Sequence, residues 1–174
     1  IAQEAEVNEV TLFRHFKSKD DLLRAAVQFF ASQATMHTLP DHPQDPRTEL
    51  VQWCRGHHRE LYKVRALIRR AMGEFEEHPD NCTQSMQVSV RIANELVSYL
   101  GELRRLGLAS GDWDARAAAA MLMGALFSDA LGRDTMPERY PYSMRDAVEK
   151  YVDLLLSAIG APNTAPDRRM VDQP

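Results

Sequence analysis

Apolar positions recur three and four residues apart along nearly the whole chain, and no segment alternates apolar and polar residues in the manner of a strand. The pattern predicts an all-α protein. Residues 1–6, with Ile1, Ala2 and Ala5, read as the end of one helix. Asn8 is placed to cap a second, running to about Phe16, with Leu12 and Phe16 four apart on one side. Ser18 and Asp21 form a Ser-x-x-Asp capping pattern for a third helix through about Gln33, whose buried stripe is Leu22, Leu23, Ala26, Val27 and Phe30.

Pro40, Pro43 and Pro46 break the periodicity, because each lacks an amide donor and restricts the residue before it. This places a domain boundary near residue 39. Asp45 and Pro46 open a helix carrying Leu50, Trp53, Cys54, His57, Leu61, Val64 and Ile68, with a break expected near Gly56 or Gly73. A further helix is expected from about Asp80 to Leu106, stopped by Gly107. Asp112 or Ser110 opens the next, rich in alanine and methionine from Ala115 to Leu131. After a loop with Pro137 and Pro141, Ser143 and Asp146 repeat the capping pattern for a last helix ending before Gly160. Residues 161–174 are polar and read as a frayed, flexible tail. The expected domains are thus 1–38, 39–160 and that tail.

With 174 residues, 44% of them hydrophobic, the chain can bury a sizeable core. It lacks any run of about 18 apolar residues and any signal-like start, so neither a membrane span nor a leader is expected, and a cytoplasmic location is. Cys54 and Cys82 show no metal-ligand spacing and read as ordinary packing in a reduced compartment. The net charge of −4 excludes a surface coated with positive charge, so any nucleic-acid contact must be local. Over residues 1–35 Glu4, Glu6, Glu9, Asp20 and Asp21 outnumber Arg14, Lys17, Lys19 and Arg24, and only the strip from Arg14 to Lys19 is cationic.

That strip belongs to a short helix, a turn and a capped second helix. At about 100° per residue, Val10, Thr11 and Arg14 fall opposite Leu12 and Phe16, with Phe13 and His15 flanking. One face packs and the other is free to enter a major groove. Thr11 offers a methyl and a hydroxyl to base edges, Arg14 a forked donor to guanine or phosphate, and Lys19 sits at a helix start that already favours an anion.

The order Ile-Ala-x-x-Ala-x-Val-x-x-x-Thr-Leu-Phe-x-His-Phe-x-x-Lys-x-x-Leu-Leu, from Ile1 to Leu23, resembles the helix-turn-helix signature of TetR-family transcriptional regulators. The resemblance implies a DNA-binding domain whose first helix is missing, followed by a larger helical domain that binds a small molecule and dimerises. It implies base or groove contacts from Glu9, Val10 and Thr11 and phosphate contacts from His15 and Lys19. The chain departs from the pattern at Phe13, where the family usually has tyrosine, and at Glu6, where it usually has glycine.

For a ligand site, the middle helices offer the candidates Trp53, His57, Met72, Phe75 and Met86, together with Val90, Asn94, Met123 and Phe127; the same residues also suit plain core. For a dimer interface, the alanine-rich and final helices offer Ala118, Met121, Leu122 and Ala125 with Val148, Tyr151, Val152 and Leu155. Adjacent His57 and His58 point about 100° apart and make a poor chelate, so no metal is assigned. No Gly-x-Ser-x-Gly, Walker-type loop or dinucleotide fingerprint occurs, and Glu74, Glu76, Glu77 and His78 read as a charged helix end. No enzyme and no cofactor is expected. The expected function is a ligand-responsive repressor, a homodimer on double-stranded operator DNA with an unknown small-molecule effector. The alternative is a helical ligand-binding or protein-interaction module that has lost DNA binding.

Overall fold

The computed structural model describes residues 8–18, 21–22, 25–26, 29, 37–77 and 83–162. All regular structure among these residues is helical: α1 (Glu9–His15), α2 (Pro46–Glu77), α3 (Thr83–Arg105), α4 (Ala115–Gly132) and α5 (Met144–Ala158), with a short 3-10 helix at Pro137–Arg139. The expected helix over 1–6, the run from 30 to 36, Cys82, His78 and the tail from 163 lie outside the described residues.

Local chemistry sets the ends of these helices. Asp45 accepts from the Thr48 amide at 3.1 Å, while Glu49 accepts from the amides of Gln44 and Asp45, so the first turn of α2 is closed from both sides. Pro46 fills the first helical position, where no amide donor is needed. The expected break near Gly56 or Gly73 does not occur; α2 runs through both for 32 residues, about 48 Å at helical rise. Gly56 serves close packing instead: a Cβ there would lie 1.9 Å from the His37 ring. Gly107, at φ +72°, ends the α3 region as expected, with the Leu108 amide donating back to the Leu103 carbonyl.

Two boundary expectations need correction. Neither Ser110 nor Asp112 caps α4. Asp114 does, accepting from the Ala117 amide at 2.7 Å, because Ser110 is engaged elsewhere: its amide donates to the Ile159 carbonyl and its hydroxyl to the Gly160 carbonyl. Ala161, expected in the polar tail, is instead buried in the core. Ser143 caps α5 as the Ser-x-x-Asp pattern requires, its Oγ accepting from the Asp146 amide at 3.1 Å.

The core is one cluster to which α2, α3, α4 and α5 all contribute. Leu50, Trp53 and Cys54 meet Leu96, Leu100 and Leu103, Leu122 and Leu126, and Val148, Val152 and Leu156. Burial pushes the Cys54 thiol far above its ordinary range, consistent with a packing role. Helix α4 lies centrally, packed by α2, α3 and α5. Polar ties reinforce the arrangement. Arg47 on α2 holds Asp153 on α5 at 2.7 Å, Arg55 pairs with Glu149, and Tyr99 on α3 donates to Glu49 on α2 at 2.5 Å. At the far end Arg65 and Arg69 of α2 grip Asp134 at 2.8 and 2.7 Å, and Arg69 also donates to the Leu131 carbonyl. Asp134 is held well below the ordinary carboxylate range by these two guanidinium groups.

Candidate nucleic-acid interface

Helix α1 starts where the sequence places it. Asn8 Oδ1 accepts from the Val10 amide at 3.0 Å and the Asn8 carbonyl from the Thr11 amide at 2.9 Å, closing the first turn. Its outer surface presents Val10, 74% exposed, with Arg14 one turn further on and His15 and Lys17 beside it, all in solvent; Thr11 and Phe16 are partly buried. An apolar side chain so exposed gains nothing from folding, and with two cations alongside it suits the methyl-rich, phosphate-flanked wall of a major groove.

The turn that follows is equally well defined. Ser18 Oγ accepts from the Asp21 amide at 3.1 Å and the Ser18 carbonyl from the Leu22 amide at 3.2 Å. Residues 21, 22, 25, 26 and 29 are helical, with Leu22 and Ala26 partly buried on the predicted stripe. The geometry is thus a seven-residue helix, two connecting residues and a Ser-capped start of the next. Glu6 and Lys19 lie outside the described residues, as do the side chains of Glu9, Leu12 and Phe13.

The ligand candidates differ in exposure. Trp53 is buried and Met123 packs against the core; His57 is partly buried. Met72, Val90 and Phe127 are exposed, as is Asn94, while the side chains of Phe75 and Met86 lie outside the described residues. The dimer candidates divide as well. Ala118, Leu122, Val148, Val152 and Leu155 are intrachain core, Ala125 and Tyr151 are partly buried, and Met121 alone stands free at 75% exposure. The stripe read for each helix was its inward one, since α4 is apolar on every side and spacing does not separate its two faces.

One cluster was missed. Asp129, fully buried on α4, accepts from Arg133 through both oxygens (2.8 and 2.7 Å) and from Tyr151 on α5 at 2.7 Å, and shares a hydrogen bond of 3.0 Å with His58 on α2. Burial alone would raise its carboxyl; the hydrogen bonds from His58, Arg133 and Tyr151 outweigh it and hold the group far below its ordinary range. Arg133 also donates to the carbonyls of Tyr140 and Tyr142, so the carboxylate anchors the α4–α5 loop too. A lone Asp inside the apolar run Ala-Leu-Phe-Ser-Asp-Ala-Leu is the sequence signal that would have found it, with Arg133 one turn later as its partner.

Among the described residues no helix is long and apolar enough to cross a membrane, and no group of His, Cys, Asp and Glu is placed to hold a metal ion. Residues 1–26 match the family model of the bacterial regulatory proteins of the tetR family. The fold is similar to the crystal structure of a TetR family transcriptional regulator, PfmR from Thermus thermophilus. The two share 19% identity at a TM-score of 0.68 over 90% of this chain and 85% of that one. No curated protein matches the chain. The amino-terminal segment is thus similar to the tetR family model, and the fold as a whole is similar to that of a TetR family regulator.

Proposed function

We propose that the protein is a cytoplasmic, ligand-responsive transcriptional repressor that binds double-stranded operator DNA as a homodimer and performs no chemistry of its own. The observation that carries this reading is the exposed face of α1, with Val10, Arg14 and His15 in solvent on a helix capped by Asn8 and followed at once by the Ser18 cap. In this reading Glu9, Val10 and Thr11 meet base edges, and Arg14, His15 and Lys19 hold the backbone on either side. Phe13 in place of the usual tyrosine contributes no phosphate hydrogen bond.

A dimer follows from the groove geometry, because two recognition helices reach successive major grooves only about 34 Å apart. The surface that suits it is the outer face of α4 and α5. Ala117, Ala120, Met121 and Gly124 are exposed on the first, and Leu154, 69% exposed, and Ala158 on the second. Their small residues let helices approach closely and their apolar area gives association its driving force. Effector binding among α2, α3 and α4 would then change the spacing of the paired recognition helices and lower operator affinity by population shift.

The test is binding of the intact protein to the DNA upstream of its own coding region as salt is varied, with His15→Ala and Lys19→Ala in parallel. Specific binding weakened by both substitutions is the expected result. Absence of specific binding by the unsubstituted protein would sink the regulator reading and leave a helical ligand-binding module.

A further inference from the structure

Trp53 is 2% exposed, yet its indole N–H meets no hydrogen-bond partner. Buried donors are nearly always satisfied, and indole nitrogen can only donate, so an orphan here requires an explanation. Trp53 belongs to the core cluster and also begins a longer apolar stripe. Trp53, His57, Leu61, Val64 and Ile68 follow one another at spacings of four, four, three and four along a single face of α2. Burial falls along that face: Trp53 is sealed, whereas His57, Leu61, Val64 and Ile68 remain partly open to solvent. The stripe is closed at the tryptophan and partly open beyond it.

The groups beside the indole limit what could meet it. The His57 ring lies edge-on to the Trp53 ring at 4.3 Å between centroids, and its Nε2 faces the His37 carbonyl at 3.3 Å. Desolvation lowers the basicity of His57, which disfavours its cationic form, and the nearby carboxylate of Glu95 disfavours an anion. A charged acceptor is therefore disfavoured and a neutral one is favoured.

We propose that the Trp53 indole N–H is the polar anchor of the effector site, and that the effector is a neutral, largely apolar molecule whose carbonyl-type oxygen accepts from it. The body of the molecule lies along Leu61, Val64 and Ile68. This inference rests on the ligand-responsive reading above, and it names the chemistry that such a ligand must carry.

The test uses acetophenone and α-methylstyrene, which share a shape and differ in having a carbonyl oxygen or a methylene at one position. In the intact protein carrying Trp113→Phe, a single indole N–H resonance remains, that of Trp53; Trp113 donates to the Ser110 carbonyl, away from this stripe. Acetophenone should shift that resonance downfield and α-methylstyrene should not. By calorimetry the ketone should bind about tenfold more tightly than the alkene, and Trp53→Phe should abolish the preference. Equal affinities, a preference that survives Trp53→Phe, or no ketone binding at millimolar concentration would each overturn the proposal. The resonance shift needs no substitution at Trp53, so it decides the matter even where Trp53→Phe fails to fold. Operator binding without added compound tests the regulator reading separately, and the ketone preference is read with DNA absent.

Discussion

His58 on α2 and Asp129 on α4 face each other with Nε2 3.0 Å from Oδ1, and both side chains are sealed from solvent. With Arg133 and Tyr151 on the same carboxylate, the contact joins α2, α4 and α5 at one point. Asp129→Asn removes the charge while keeping the volume, and it leaves the Arg133 guanidinium, 14% exposed, without its counter-ion. Breaking a buried pair in this way costs about 3–5 kcal/mol. Urea unfolding should show a midpoint lowered accordingly at unchanged slope, and an unaltered midpoint would refute the argument.

The same carboxylate gives stability a pH dependence of known sign. Its pKa in the folded protein lies below the ordinary value of 3.8, so the unfolded chain takes up a proton first as pH falls. The contribution is complete above that ordinary value and is lost progressively as pH drops through it toward the lowered folded value. The difference in unfolding free energy between the unsubstituted protein and Asp129→Asn should be constant above about pH 5 and shrink below it. A difference that grew on acidification would contradict the hydrogen-bonding scheme.

Gly160 turns the chain after α5 at φ +65°, and a Cβ there would lie 2.3 Å from Ser110 Oγ and 3.0 Å from the Ser110 carbonyl oxygen. Gly160→Ala therefore meets backbone strain and a steric clash together. A loss of about 1–3 kcal/mol is expected, read as a lowered thermal midpoint. A matched Gly101→Ala, near the C-terminal end of α3 with open space where its Cβ would lie, should instead raise the midpoint slightly through helix propensity.

Much of this fold was legible because caps and breakers act locally. Asn8, Ser18, Pro46, Gly107 and Ser143 each do what the neighbouring sequence requires. The expected break in α2 failed for a tertiary reason: Gly56 is set by the His37 ring packed against it, which no local pattern shows. Facing was the harder problem. In α4, Ala118 and Leu122 point inward and Ala117 and Met121 outward, and a helix apolar all round offers spacing no purchase on that choice. The exposure of Val10 and Arg14 was legible because residues four apart share one face of a helix.

On DNA, the α1 surface should reveal itself through salt. Replacing Arg14 with alanine removes one cation next to the groove-facing Val10. If it holds phosphate, the slope of log affinity against log salt should fall by about one, with all sequences weakened alike. If it reads guanine, discrimination at one base pair should drop by about 1–3 kcal/mol. Competition binding against single-base operator variants at two salt concentrations separates the two. An Arg14→Ala protein unchanged in both respects would remove Arg14 from the interface.

Neighbouring residues on α4 provide the sharpest contrast between interface and core. Met121 is 75% exposed and Leu122 3%. If the outer face of α4 and α5 joins two copies, Met121→Asp places a carboxylate in an apolar contact and should shift the protein from dimer to monomer, with each subunit's helicity intact. Leu122→Ala should instead leave the dimer mass alone at low temperature and cost about 2–5 kcal/mol of folding stability through the cavity it opens. Leu154→Asp, on α5 at 69% exposure, should reproduce the Met121→Asp result. Sedimentation equilibrium and urea titration on the three variants distinguish these outcomes. A monomeric unsubstituted protein, or a dimer indifferent to both aspartates, would move the interface away from this face, because an apolar contact cannot accept a buried, unpaired carboxylate without loss of affinity.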